Sequence, residues 1–454
     1  MTQIDDTNNP HAYQHVVCRG LPYERGLAHG QQAKSKVQEN VTYYRRPGKL
    51  AHSIELMEAI IQHVYKPALE QYYPSGFQEM QGIADGAGVT LDDVILLNSR
   101  YDLARLGDEP GIKPVTAEGA TGTFTPATSN GTAAHEDMSN ECTSVIFHHN
   151  ATASGDMLTA QNWDMSARLW ENDCIIYLEV HPDPSENKPS IFLVTEAGQL
   201  GRSGMNSAGL GVTANSLMSS DDYIPYPYED GNGKVHNVPI VPILPISMLR
   251  RMILESNHFA EAMTCAFNFP RHVSNNVTVS TAEGFGLCLE VTPDRIYKVY
   301  REHADDRYLV HTNHFTHSGF LARQDVLCKY PGGSSWFRRE RFEQSIRSKA
   351  QAGTLTNDDI ILGFSDHISY PEAVCVHPDR NPIDAVISHL PGYPFRSNSA
   401  TVACIIYNLS KTEVTVCKGP PCQGKFQTFK LEGPKGNKRG SQKQPGNVDR
   451  PEHP

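Results

Sequence analysis

The spacing of the apolar residues divides this chain into a helical beginning and a strand-rich remainder. Residues 22–45, 76–86 and 91–106 repeat apolar positions at the period of a helix, and Thr90 is suited to cap the last of them. A short apolar run at residues 15–18 precedes these helices and is typical of a strand. We therefore predict a mainly helical first part.

Beyond Cys142 the pattern changes to short runs of branched and aromatic residues between turn clusters. The first two runs, 144–147 and 157–160, flank a turn at 150–156 and predict a β-hairpin. Because long successions of strands are accompanied by separate helices, the pattern favours layered α+β packing over alternating βαβ units. Further strands are predicted at about 174–180, 191–195, 210–214, 276–280, 286–291, 296–300, 309–312, 401–407 and 413–417, and helices at about 246–255, 259–267, 336–350 and 358–364.

Two segments are too poor in large apolar residues to pack. Residues 107–140 are predicted to form an exposed linker, and residues 432–454 a disordered tail. The predicted organisation is therefore a helical N-terminal portion with its linker (1–141), a strand-rich portion (142–431) and the tail. A Pro- and Tyr-rich stretch at 219–245 is either a functional loop or a passive surface excursion.

Composition and charge exclude several classes of protein. The 454 residues, 39% of them hydrophobic, can bury a large core, and the net charge of -11 argues against a nucleic-acid-binding surface. The polar start predicts neither a secretory nor a transit peptide, and no apolar run is long enough to cross a bilayer. The ten scattered cysteines are expected to be reduced, and the C-terminus is not a peroxisomal signal of the SKL type. We expect a cytoplasmic protein without nucleic-acid or membrane partners.

Cys142 occupies the position of a chain terminus although it lies in mid-chain, because the linker ends there and the hairpin begins. A nucleophilic thiol needs a base, and the sequence around Cys142 offers no His–Cys pair of the thiol-protease kind. If the Glu141–Cys142 bond were cut, the freed α-amine, with a pKa near ~7.7 to 8, could serve as that base. The alternative is an ordinary buried cysteine at the start of a strand.

Two further residues are candidates for the same site. Asp164 ends the second hairpin strand, which folds back towards Cys142, so its carboxylate could orient the amine or bind substrate; it could equally cap the strand. Asn313 carries an amide N–H that could stabilise an oxyanion without a charge of its own.

The histidines and the late cysteine pair do not predict a metal site. On a strand, His311, His314 and His317 would point to alternating faces and would not converge on one ion. Cys417 and Cys422 lack a matching second pair and are interpreted as structural. We therefore predict that the site contains no metal.

Short motifs along nearly the whole chain match one known family in order and spacing. They are 20–26 (GLPYERG), 29–30 (HG), 82–84 (GIA), 96–100 (LLNSR), 142–143 (CT), 161–164 (QNWD), 195–198 (TEAG), 204–209 (GMNSAG), 289–291 (LEV) and 311–314 (HTNH). In these motifs the chain resembles the acyl-coenzyme A:6-aminopenicillanic-acid acyltransferase family, also called isopenicillin-N acyltransferase, of the self-processing N-terminal-nucleophile hydrolases.

The resemblance implies a four-layer αββα sandwich, made as a precursor that cleaves itself into an α chain and a β chain. It assigns the nucleophile to Cys142, the active-site aspartate to Asp164 and the oxyanion-hole asparagine to Asn313. A serine that assists processing in the family corresponds to Thr292, which keeps the hydroxyl.

The sequence also departs from the family. Glu141 stands before the nucleophile where the best-known relative has glycine, and the linker ahead of it is longer. Asn398 stands where the family has an arginine, and Arg396 is the nearby residue that could replace it.

The leading hypothesis is a self-cleaving enzyme that transfers or hydrolyses acyl groups through an acyl-Cys142 intermediate. Its partners would be a small-molecule acyl donor and an amine or water as acceptor; no cofactor is expected, and acyl-CoA would be a substrate. One alternative is a plain N-acyl amide hydrolase that does not use CoA. Another is an uncleaved, inactive relative that acts as a binding protein, which the departures at Glu141 and Asn398 favour.

Overall fold

The structure is a computed structural model that describes residues 10–47, 49–50, 53–106, 111–115, 142–303, 305–330, 333–378 and 398–433. Most of the predicted linker, Glu141, Arg396 and nearly all of the predicted tail lie outside these ranges. The division of the chain at residues 141 and 431 therefore stays a prediction.

The helices and strands have definite bounds within the described residues. The helices are α1 Pro22–Gln32, α2 Lys34–Tyr44, α3 Ile54–Ile60, α4 Lys66–Tyr72, α5 Pro74–Ala87, α6 Leu91–Leu103, α7 Arg168–Glu171, α8 Ile246–Leu254, α9 Phe259–Phe267, α10 Ser318–Leu321, α11 Ser334–Ala352 and α12 Asn357–Phe364. The strands are β1 Gln14–Gly20, β2 Lys113–Pro114, β3 Cys142–Phe147, β4 Leu158–Ser166, β5 Ile175–Pro182, β6 Ile191–Glu196, β7 Ser203–Asn206, β8 Leu210–Ser216, β9 Tyr228–Glu229, β10 Val235–His236, β11 Asn275–Thr281, β12 Gly286–Val291, β13 Ile296–Tyr300, β14 Tyr308–His311, β15 Ser399–Asn408, β16 Glu413–Lys418 and β17 Phe426–Lys430.

Fourteen of these strands form two large sheets that pack against each other, and β10, β9 and β2 form a small third sheet. The eight-stranded sheet has the order β1-β5-β6-β7-β8-β11-β12-β13, and the six-stranded sheet has the order β14-β3-β4-β15-β16-β17. β3 and β4 face β8 across the interface; α1 and α8 lie on the outer face of the larger sheet, and α11 and α12 on that of the smaller. The predicted α+β fold, an αββα sandwich of four layers, is confirmed.

Alternation along β3 explains why one strand contributes to two cores. Cys142 and Ile146 belong to the apolar cluster between the sheets, whereas Val145 and Phe147 belong to the cluster under α11 and α12. Successive strand residues point to opposite faces of the sheet. Because both faces of this sheet are covered, every position along the strand is buried. All six residues of β3 are buried accordingly.

The predicted helix at 22–45 is two helices, because the chain leaves helical geometry at Ala33 and turns. This break lets α1 pack along α5 while α2 packs along α6. The α1–α5 contact is very close: a Cβ at Gly26 would lie 2.0 Å from the carbonyl oxygen of Glu79, and one at Gly82 would lie 2.2 Å from that of Tyr23. The glycines therefore permit this packing.

A buried ion network joins the same helices to α8. Arg25 Nε donates to Glu79 Oε2 at 2.6 Å, and Arg251 Nη2 donates to the same oxygen at 2.9 Å. Arg251 also donates through Nε to Glu255 Oε1 at 2.9 Å. In the described part of the chain, every helix is too short or too polar to cross a bilayer.

Candidate active site

Cys142 is the first residue of β3 and lies 1% exposed in the core between the sheets. It pairs with Trp163 of β4, which confirms the predicted hairpin. Its backbone N–H donates to Asn313 Oδ1 at 2.8 Å. The structure thus brings two of the predicted catalytic residues into direct contact.

The loop that carries Asn313 is held firmly at several points. The backbone N–H of Asn313 donates to Ser335 Oγ at 2.8 Å, and its Nδ2 donates to Ser216 O at 3.0 Å. Glu290 accepts from the backbone N–H of Thr316 at 2.7 Å and pairs with His311 Nε2 at 2.9 Å. The family motifs around Glu290 and Asn313 are therefore parts of one hydrogen-bonded unit.

The three histidines of this loop make local hydrogen bonds that stabilise it. His311 contacts Glu290, and His314 Nδ1 contacts Ser335 Oγ at 2.8 Å. His317 accepts from the backbone N–H of Gly319 at 2.9 Å, as an N-cap of α10. Burial lowers the pKa of His314 to about 3, so this imidazole is neutral at physiological pH.

Arg338 of α11 is a further member of the site. Its Nη1 donates to the carbonyl oxygen of Cys142 at 3.0 Å and to Thr143 Oγ1 at 3.1 Å, and its Nη2 donates to Asn313 Oδ1 at 2.8 Å. Asn215 of β8 adds a second bond to the Cys142 carbonyl, through Nδ2 at 3.1 Å. The backbone of Cys142 is therefore fixed at its N–H and at its carbonyl by both sheets and a helix.

Asp164 lies next to the thiol, as predicted. Its backbone N–H hydrogen-bonds to the Cys142 side chain, and its Oδ1 accepts from Thr401 Oγ1 at 2.6 Å. Thr401 Oγ1 in turn accepts from the backbone N–H of Val376 at 3.0 Å. Asp164 is thus supported from β15 and from the segment that follows α12.

Burial raises the pKa of the Cys142 thiol to about 11. The Arg202 and Arg338 charges and the Asp164 backbone N–H oppose this shift, and the Asp164 carboxylate adds to it. At neutral pH the thiol is therefore protonated. Nucleophilic chemistry at Cys142 needs a group that removes this proton.

Two buried arginines, Arg202 near Cys142 and Arg250 near Arg202, have no ion-pair partner among the described residues. Arg202, 6% exposed, lies with its guanidinium carbon 4.3 Å from the ring centroid of Trp163, which is the strand partner of Cys142. Arg250 of α8 is 2% exposed, and Nε of both arginines makes no hydrogen bond within the described part of the chain. Burial lowers the pKa of Arg202 to about 10 and that of Arg250 to about 9.

Thr292 lies in the turn between β12 and β13 and is engaged there. Its hydroxyl donates to Asp294 Oδ1 at 2.7 Å and accepts from the backbone N–H of Arg295 at 3.2 Å. Its role in processing stays a prediction, as does cleavage after Glu141, which lies outside the described residues. Asn398 is exposed and contributes a backbone carbonyl to the N–H of Ala167.

Sequence analysis missed Arg202, Asn215, Arg338 and Thr401. For Arg338 a signal exists, because the buried positions of α11 recur every four residues, at 334, 338, 342, 346 and 350. A charged residue on a buried helix stripe is costly unless it meets a partner or a ligand. Arg338 stands on that stripe and could have been identified in this way.

Comparison with known proteins agrees with the motifs. The family model described as acyl-coenzyme A:6-aminopenicillanic acid acyl-transferase matches residues 242–423. The 40 kDa form of acyl-coenzyme A:6-aminopenicillanic-acid-acyltransferase from Emericella nidulans is 25% identical over 372 residues, which cover 80% of this chain and 84% of that protein. The chain is therefore similar to this acyltransferase family, and the resemblance predicted from the motifs is confirmed.

Solved structures with partial likeness include two hydrolases. One is a mutant form of conjugated bile acid hydrolase from Clostridium perfringens, with 13% identity, a TM-score of 0.37, and coverage of 64% of this chain and 97% of that chain. The other is the Caenorhabditis elegans ortholog of N-acylethanolamine-hydrolyzing acid amidase, with 13% identity, a TM-score of 0.35, and coverage of 59% and 93%. The assignment of the fold rests on the layers of this chain itself.

Proposed function

We propose that this protein is a self-cleaving cysteine acyltransferase or amidohydrolase that acts through an acyl-Cys142 intermediate. The similarity to the acyltransferase family supports an enzyme of this general type. The observation that carries the proposal is the 2.8 Å bond between the Cys142 backbone nitrogen and Asn313 Oδ1. It holds the atom that would become the α-amine in the same polar site as the thiol.

In the proposed self-cleavage, the Cys142 thiol adds to the carbonyl carbon of Glu141. Collapse of the tetrahedral adduct expels the Cys142 nitrogen, which takes up the thiol proton. Water then hydrolyses the thioester, leaving a carboxylate on Glu141 and a free amine and thiol on Cys142. Arg338 and Asn215, which hold the Cys142 carbonyl, would keep the residue in place as its peptide bond is lost.

In the mature enzyme the new amine would take the thiol proton, and the thiolate would attack a substrate carbonyl. The leaving amine or CoA thiol departs with a proton, and water or an acceptor amine then releases the acyl group from Cys142. An amine pKa near ~7.7 to 8 suits this exchange at neutral pH. The buried thiol, with its pKa raised to about 11, has need of such a base.

Asn313 would hold the amine through Oδ1, which accepts from the Cys142 nitrogen in the uncleaved chain. In its predicted role as an oxyanion donor, Asn313 would donate through Nδ2. One hydrogen of Nδ2 is donated to Ser216 O, and under this proposal the other would be donated to the oxyanion. Removing an oxyanion donor costs about 10²–10³ in turnover in comparable enzymes. We expect a loss of this size for Asn313→Ala, with substrate binding retained.

The buried arginines favour a substrate with a negative charge. A guanidinium without a carboxylate partner is costly to bury, and an anionic ligand would offset that cost. Arg202 packs on Trp163 directly opposite Cys142, which suits a carboxylate or phosphate carried by the acyl donor or the acceptor. Acyl-CoA, as a substrate rather than a cofactor, meets this requirement.

A denaturing gel tests self-cleavage. Purified wild-type protein should give two fragments, the second of which begins at Cys142 in N-terminal sequencing, whereas Cys142→Ala should remain one full-length band. A single intact band for both proteins would refute self-processing. It would favour the alternative of an uncleaved binding protein, which is also the interpretation that the departures at Glu141 and Asn398 support.

A product assay separates transfer from hydrolysis. The processed enzyme is incubated with an acyl-CoA and an acceptor amine, and the products are separated by chromatography. Amide formation indicates an acyltransferase, and free acid alone indicates a hydrolase. Cleavage of N-acyl amides without turnover of acyl-CoA would favour the plain amide hydrolase.

A further inference from the structure

Four side chains outside the acyl-transfer site converge on one point. They are His367, Cys375, His377 and Cys422, and their ligating atoms all lie within 4.8 Å of one another. Cys375 is buried, His377 is half-buried, and the other two are exposed. Two imidazoles and two thiols are the donor set of a structural zinc site, and thiolates disfavour magnesium and calcium.

Four of the six distances between the ligand atoms match those expected around one tetrahedral ion. The sulfurs of Cys375 and Cys422 are 3.7 Å apart, and the Nε2 atoms of His367 and His377 are 3.2 Å apart. His377 Nε2 lies 3.5 Å from the Cys375 sulfur and 3.3 Å from the Cys422 sulfur. A tetrahedral zinc ion with ordinary bond lengths separates two sulfurs by about 3.8 Å, two nitrogens by about 3.3 Å, and sulfur from nitrogen by about 3.5 Å.

We propose that His367, Cys375, His377 and Cys422 bind one zinc ion in a closed structural site. The four ligands fill the tetrahedral coordination shell, so the ion has a structural rather than a catalytic role. This site differs from the His311–His317 run weighed in the sequence, and the expectation of no metal did not anticipate it. A disulfide between the two cysteines would leave the convergence of both imidazoles unexplained.

The metal would tie together two distant parts of the chain beside Asp164. Three ligands lie in the segment after α12, and Cys422 lies in the turn between β16 and β17. Two of those ligands flank Val376, whose N–H donates to Thr401 Oγ1 at 3.0 Å and whose carbonyl accepts from Thr401 N–H at 3.0 Å.

Thr401 Oγ1 donates to Asp164 Oδ1 at 2.6 Å, so the proposed ion would brace the support of this carboxylate. The effect on Asp164 rests on the proposed function; binding of the metal does not. Ligands on both sides of Val376 would limit its backbone motion more than one ligand could.

Metal content of the full-length protein tests the site. After dialysis against metal-free buffer, we expect about one zinc ion per wild-type chain by elemental mass spectrometry. Cys375→Ser and Cys422→Ser should retain less than about a tenth of this. Cys265→Ser, a partly exposed cysteine of α9, is the matched control and should keep the metal. A zinc-free wild type, or ligand variants with full zinc, would overturn the proposal.

Two further measurements do not depend on enzymatic activity. Protein reconstituted with cobalt should absorb in the thiolate-to-cobalt charge-transfer region, and Cys422→Ser should weaken this band. A Cys375–Cys422 disulfide in protein freshly purified in the presence of a reductant, detected by peptide mass mapping, would refute the site.

Chelation should speed amide hydrogen exchange in the peptides that contain Val376 and Thr401, relative to peptides of α5. Unchanged exchange would refute the bracing of Asp164. If the protein binds zinc but turns over neither acyl-CoA nor N-acyl amides in the product assay, only the acyl-transfer proposal is refuted. If the enzyme turns over substrate but contains no zinc, only the metal site is refuted.

Discussion

Arg250 and Arg251 are adjacent on α8, yet only Arg251 forms ion pairs with described residues. Arg251 donates to Glu79 and Glu255. Burial alone would lower the Arg251 pKa, but Glu79, Tyr73 and Glu255 together raise it well above its usual range. Arg250 has no ion-pair partner among the described residues, and burial and the nearby charge of Arg202 lower its pKa to about 9. Both side chains are almost fully buried.

The difference separates a charge that stabilises the fold from one that, under the proposed function, would be available to a ligand. Removing one partner of a buried ion pair leaves the other uncompensated and is strongly destabilising. A buried arginine without a partner weakens the folded state, so its presence indicates another use. Arg251 therefore contributes to stability, and under the proposed function Arg202 would bind the anionic group of a substrate.

The largest expected effect is the loss of the shared carboxylate. Glu79→Gln leaves Arg25 and Arg251 buried without their common negative charge. We expect the free energy of unfolding to fall by about 3–5 kcal/mol. Denaturant titration of the purified protein measures it, and a change below about 1 kcal/mol would contradict the assignment of this network to stability.

The next effect concerns activity rather than stability. Arg202→Met should reduce kcat/KM for an anionic substrate by about 10- to 100-fold, because a hydrogen bond to a charged group is lost. Stability should be unchanged or increased, since a costly buried charge is gone. The measurement compares an anionic substrate with a neutral one of similar shape, using processed enzyme, and Arg250→Met serves as the companion variant. Equal losses on both substrates would mean that Arg202 acts on the thiol alone.

The pH dependence of stability should have opposite signs in the two regions. Burial alone would raise the pKa of Glu255, but Arg251 and Lys188 lower it to about 2, so its contribution is present above pH 4.5 and is lost as the pH falls towards 2. Burial raises the pKa of Asp102, near Arg250, to about 7. Its contribution is full below pH 3.8 and is lost as the pH rises through 7.

Unfolding titrations between about pH 2 and 8 check this pair of signs. Glu255→Gln should lose stability relative to wild type near neutral pH and less in acid. Asp102→Asn, which keeps an acceptor for the Ile246 N–H, should gain stability relative to wild type above about pH 7. Parallel pH profiles for the two variants would contradict the contrast.

The smallest effect is expected at a pair that is exposed. Arg45 Nη1 lies 3.2 Å from Glu58 Oε1, and the Glu58 side chain is 55% exposed. Glu58→Gln should change the free energy of unfolding by less than about 1 kcal/mol, because water already solvates both charges. A loss of unfolding free energy comparable to that of Glu79→Gln would show that burial does not determine how much an ion pair contributes to stability.

Local pattern predicted those parts of the molecule that depend on neighbours in sequence. Alternation and a turn cluster predict the hairpin that brings Asp164 to Cys142, and the Thr90 cap of α6 is confirmed by its hydroxyl, which accepts from the Asp93 N–H. The break at Ala33 was missed because it follows from packing on α5 and α6, which the local pattern does not contain.

Contacts between distant residues set the limit of such prediction. Arg338 lies 196 residues from Cys142 in sequence, and Cys422 lies 45 residues from His377. Arg250 and Arg251 are identical in type and adjacent, so only the helix orientation tells which of them meets Glu79. The residue types were visible, but the topology decides which of them come together.

The parallel pairing of β1 with β5 has a consequence for the lifetime of the protein. β1 and the helices α1 to α6 come from the chain before Cys142, whereas the rest of the eight-stranded sheet comes after it. In an intact precursor these parts find each other by closing a loop within one molecule. Cleavage before Cys142 would make the same association bimolecular, so refolding would depend on concentration. The lifetime of the mature enzyme would then be set by its slow rate of unfolding and not by its equilibrium with the unfolded state.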